Sequence, residues 1–145
     1  MKKGLYDTIQ RLVIGMLVFI KNNNGQFPGV GRVDVWMRAG NAYMNLLEYK
    51  KTEKVLLEGL DVYVKEENWK PGKLSEMDIA FEADVSKQEI LMAYLCKCYF
   101  LAKEYNDCIK IGKKLLNSIK IRGKEDYIVE NFPNGIKFYI NKAKD

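Results

Sequence analysis

The chain has 145 residues, a length that suggests one domain with material for a sizeable buried core. It is 48% hydrophobic and 30% charged with a formal net charge of +5, which excludes a disordered or low-complexity polymer. Histidine is absent, so the commonest general base and the commonest transition-metal ligand are both missing, and neither a metal nor a cofactor is expected.

Met1-Lys2-Lys3 precedes an apolar run from Leu12 to Ile20, broken only by Gly15. That run is far short of the ~20 residues needed to cross a bilayer. Asp7, Gln10 and Arg11 interrupt the approach, and no small-x-small cleavage site follows. Residues 3–21 therefore read as a buried helix, with a signal or membrane-associating segment as the alternative. Gly25, Pro28, Gly29 and Gly31 mark a loop. A helix over 33–47 follows, with Trp36, Ala39, Gly40, Tyr43 and Leu47 at helical spacing, and then another over 50–66 carrying Leu56, Leu57, Leu60 and Tyr63. Residues 67–85 are irregular and acidic, with a turn at Trp69, Pro71 and Gly72. Ser86 with Glu89 three residues on is a capping box that opens a helix over 87–102. That helix is apolar almost all round and should be the most buried. A further helix spans 104–119, a turn lies near 125–131, and a last helix covers 134–144. No sustained apolar–polar alternation supports a strand, so the expected class is all-α, one domain over 1–145.

Charge is unevenly placed. Residues 61–89 hold eight acids against four lysines, whereas residues 95–124 hold eight bases against two acids. Such asymmetry fits an acidic partner or nucleic acid, or else a solvated basic helix lying beside the acidic stretch of its own chain. The three cysteines, Cys96, Cys98 and Cys108, form neither a CxxC pair nor an even framework, which favours a reducing, cytoplasmic setting over disulfides or zinc.

An internal repeat is present at an offset of 56 residues. It places Trp36 to Tyr43 on Met92 to Tyr99, Glu48-Tyr49 on Glu104-Tyr105, Thr52 on Cys108 and Leu60 on Leu116. The first copy, with Trp36, Gly40, Tyr43 and Tyr49 in register, resembles a tetratricopeptide repeat. The second, with Leu95, Tyr99 and Tyr105 and with Cys96 and Cys108 as its small residues, is similar to it. The family's period is about 34 residues, so the offset implies an insertion, assigned to residues 67–85. The resemblance implies two antiparallel helical hairpins, at 33–66 and 87–120. The segments 3–21 and 125–144 would cap them, and the insertion would lie outside their core. Close helix contacts are expected at small residues, Gly40 opposite Thr52 and Cys96 opposite Cys108.

The resemblance also implies a non-catalytic scaffold or adaptor that binds another protein or peptide. Its groove would be lined by the outward face of each first helix. Here that face is Asp34, Met37, Asn41 and Met44 in the first copy and Ile90, Ala93, Lys97 and Phe100 in the second. A terminal helix of the same chain filling this face is the alternative. Asn41 matches the Asn with which chaperone-binding members of the family grip a chain end, but Met37 stands where their Lys would be. A second functional reading is a nucleic-acid-associated or ribonucleoprotein subunit that uses the basic helix 103–124.

Overall fold

The apolar periodicities resolve into helices in the computed structural model, which describes residues 3–22, 32–123 and 136–145. Seven helices occur among the described residues: α1 (Lys3–Asn22), α2 (Arg32–Asn45), α3 (Tyr49–Glu67), α4 (Glu76–Ala80), α5 (Lys87–Leu101), α6 (Tyr105–Ile121) and α7 (Ile136–Lys144). The described residues contain no strand. The expected long helices are present with ends shifted by no more than two residues. The loop signals at 25–31 and the turn near 125–131 lie outside the described residues.

Each long helix packs on its neighbour in the chain. α1 lies on α2, α2 on α3, α3 on α5, α5 on α6 and α6 on α7, with α2–α5 and α5–α7 contacts across the layers. α1 and α7 thus occupy the two flanks. Ser86 caps α5 as expected: its side chain accepts from the Glu89 backbone N–H, while the Glu89 carboxylate accepts from Ser86 N–H at 2.8 Å. α5 is the most buried element, with Leu91, Leu95 and Cys96 at 0% exposure. The core around it takes in Leu56 from α3, Leu115 and Ile119 from α6, and Ile136 and Ile140 from α7. Trp36 meets Tyr63 edge-on, with ring centres 6.2 Å apart, a favoured aromatic geometry.

The two hairpin turns are copies of one another. In the first, Leu47 N–H donates to Met44 C=O and Glu48 N–H to Tyr43 C=O. In the second, Lys103 N–H donates to Phe100 C=O and Glu104 N–H to Tyr99 C=O. Leu47 and Lys103 both have φ 62°, and Glu48 and Glu104 share φ near −94° (−96° and −92°) with ψ 69° and 68°. This is the paired-bond helix stop in which a left-handed residue satisfies the last carbonyls. Every equivalent pair is 56 residues apart, so the repeat read from the sequence is present in the backbone.

The segment assigned as the insertion is fastened to its neighbours at several points. α4 starts on a second capping box, Ser75 with Asp78. Gly72 N–H donates to Ser118 Oγ on α6 at 2.8 Å, and Arg122 donates to Asp84 C=O at 2.7 Å. Lys87 pairs with Glu67 at 3.0 Å and Asp78 at 3.6 Å, while Gln88 donates to Tyr63 C=O and to Glu67. Trp69 and Val85 pack against the core. The segment is thus tied down through its polar groups, while Met77, Ile79 and Phe81 in its middle stay exposed.

Candidate functional site

The expected groove survives only in part. Asp34, Met37 and Asn41 on α2 and Ile90 and Ala93 on α5 are half-buried, and Lys97 is exposed. Met37, Ala93 and Phe100 pack against the core. Met44 is buried at 3% exposure. α1 runs beside that end of α2, where Asn45 donates to Gln10 and Arg11 reaches Glu48. Phe100 is taken up by the C-terminal flank: its ring lies 5.0 Å from that of Tyr139 and 6.4 Å from that of Phe138, centre to centre. Ile90 and Ala93 share a small apolar cavity of about 40 Å³ with Leu115 and Ile136. The ends of the predicted face are therefore core, and its accessible remainder centres on Asn41 and Lys97.

The close contacts divide in the same way. Cys96 and Cys108 meet as expected, with their sulfurs 3.6 Å apart and both residues at 0% exposure. Gly40 has Leu56 as its nearest neighbour. A Cβ at Gly40 would lie 2.6 Å from Leu56 Cδ2, one turn along α3 from the expected Thr52. Thr52 is fully buried and donates its hydroxyl back to Glu48 C=O. Burial pushes all three thiols toward the protonated form: Cys98 rises to about 12, and Cys96 and Cys108 also move upward. A thiol held protonated and out of solvent is a poor nucleophile.

A buried ionic hub is one feature the sequence reading missed. Glu89, 1% exposed, takes two bonds from the Arg122 guanidinium, at 2.7 and 2.5 Å, and a third from the Ser118 hydroxyl. Its carboxylate also caps α5. The sequence signalled only the capping role, because Arg122 lies 33 residues away.

Two surfaces carry strong charge. Around α4, an open groove of about 740 Å³ is lined by Glu66, Glu67, Lys73, Met77 and Ile79, and Met77, Ile79 and Phe81 stand exposed beside it. On α6, the solvent face presents Lys110, Lys113, Lys114 and Lys120 together with Asn106 and Asn117. The acidic insertion is bonded to the far end of that helix, at Ser118 and Arg122, and among the described residues the four lysines have no ion pair. On the opposite flank, α1 turns Leu5, Leu12 and Val18 to solvent. No described helix is long and apolar enough to cross a membrane. No protein-family model matches the sequence, and no curated protein or solved structure matches it.

Proposed function

We propose that the chain is a non-catalytic helical-repeat scaffold of the tetratricopeptide type, working in the cytoplasm and holding another protein or peptide. The observation that carries this reading is the duplicated hairpin turn, with the same hydrogen bonds and the same left-handed residue 56 positions apart. It is supported by the sequential packing of α2, α3, α5 and α6 between two flanking helices. The buried, protonated thiols add to it, since they leave the cysteines without a nucleophilic role. The binding surface is the part of the α2–α5 face left open, where Asn41 offers an amide to a peptide backbone and Lys97 a cation to an acidic side chain or chain end. Met44 and Phe100, as core residues, are unsuited to testing it.

A benzophenone side chain placed at Asn41, at Lys97 and, as a control, at Lys54 on the exposed side of α3 tests the assignment. Crosslinking in cells to one protein from positions 41 and 97, and not from 54, is the expected result. Equal crosslinking from all three sites, or crosslinking from 54 alone, overturns it.

A further inference from the structure

We infer that the outer surface of α6 and α7 binds single-stranded nucleic acid, a role separate from the α2–α5 face. Lys110, Lys113, Lys114 and Lys120 follow one another at helical spacing along one side of α6. With Asn106 and Asn117 between them they cover about 20 Å of helix. All six residues are exposed. α7 adds the exposed Lys142; Lys144, also exposed, is two positions on and faces another way. Among the described residues none of these lysines has an ion pair. Of the described acids on these helices and their ends, Asp107 and Asp145 are exposed, and Glu104 is engaged by Lys50 at 3.0 Å. A surface this rich in unpaired cations is matched by a polymer with regularly spaced anions, whose binding releases condensed counterions.

Aromatic rings decide between the polyanions. Where α6 begins and α7 lies against it, Tyr105 and Phe138 are each 40% exposed. Both lie against the half-buried Phe100 ring, at 5.9 and 6.4 Å between centres. Lys142 stands one helical turn from Phe138. Two half-open rings on a rigid aromatic base, with lysines and amides beyond them, suit unpaired bases that stack while their phosphates follow the lysines. A duplex hides its base faces, and an acidic peptide has no flat groups that need the rings. Apart from Tyr105, the one large apolar side chain that α6 exposes is Ile121, which gives a lipid surface little to hold.

The test uses the whole purified chain and a fluorescein-labelled oligo-uridine strand, followed by anisotropy between about 50 and about 200 mM salt. The expected result is binding that weakens steeply with salt, with a log–log slope of about −3 for four neutralised phosphates. Lys113→Glu with Lys114→Glu, both outside the core, lowers affinity roughly tenfold or more and flattens the slope. Phe138→Ala weakens binding by about fivefold or more and leaves the slope unchanged; its melting curve reports whether the fold is intact, and Phe138→Trp restores binding. Three results overturn the inference. One is undiminished affinity in the double lysine variant. Another is a poly-glutamate peptide that competes as well as the strand at equal charge. The third is a duplex of equal length bound more tightly than the strand.

Discussion

The two hairpins share a turn and differ in how they are filled. In the first, Gly40 on α2 makes room for Leu56 on α3, and Gly59 on α3 makes room for Trp36 on α2. At the equivalent positions the second has Cys96 and Gly112, and Met92 and Leu115. A Cβ on Gly112 would lie 3.3 Å from Cys96 Sγ and 2.7 Å from Ile140 Cδ1. The first hairpin sets bulk against glycine at both points; the second has two small residues at one, with Ile140 of α7 filling the space beside Gly112, and two large ones at the other. The other difference is ionic. Glu89, Ser118 and Arg122 correspond to Val33, Val62 and Glu66 in the first copy, so only the second hairpin has a polar hub, and only that hairpin holds the insertion.

The largest effect should come from removing that hub. Glu89→Ala leaves Arg122 buried without its carboxylate and strips the cap from α5, so it should cost about 3–5 kcal/mol in urea unfolding. A cost below about 1 kcal/mol would show that the hub is dispensable and the hairpins energetically alike. Gly40→Leu comes next. Its added side chain meets Leu56 in the middle of the core, and a loss of about 1–3 kcal/mol is expected. An unchanged melting temperature would mean that α2 and α3 do not approach there.

Single alanines separate the two glycines more finely. At Gly59 a Cβ would stand 2.7 Å from Trp36 Cδ1, part of a rigid indole. At Gly112 the nearest atom is the flexible end of Ile140. Alanine gains up to about 1 kcal/mol over glycine in a helix interior. Gly112→Ala should therefore be close to neutral and Gly59→Ala clearly destabilising, by thermal melts run in parallel; the reverse order would contradict the packing described for the first hairpin. The smallest effects belong to the shared turn. Leu47→Gly and Lys103→Gly each relieve a left-handed side chain, and each should stabilise by up to about 1 kcal/mol. Because the geometry is the same, the two gains should agree. A loss at only one site would break the equivalence of the turns.

Much of the fold was legible because its signals are local. The 3.6-residue apolar period, the Ser86–Glu89 box and the helix breaks read after residues 47 and 102 sit within a few residues of the structure they dictate. The Ser75–Asp78 box carried the same kind of signal for α4. A helix of five residues is too short to show a period, so the whole segment read as irregular. What the sequence hid was non-local. Gly72, Ser118, Arg122 and Asp84 look like turn and surface residues until α6 brings them together. Within the candidate groove, Met44 is buried and Phe100 is half-buried against Phe138 and Tyr139 of α7; helix-face periodicity does not report how far a neighbour extends.

The fastening of the insertion at both ends sets how the chain should respond to a protease. Gly72 is tied to Ser118 and Asp84 to Arg122, while Phe81, between these anchors, is 77% exposed. Chymotrypsin should reach Phe81 in the native protein, because an exposed loop tip is where nicking concentrates. A single cut there divides the polypeptide but releases neither end, since each half of the insertion keeps its own bond to α6. The two pieces should therefore leave a gel-filtration column together, at the volume of the uncut chain, and separate only in denaturant. Fragments that part under native conditions would show that covalent continuity, and not the α6 anchors, joins the two hairpins into one body.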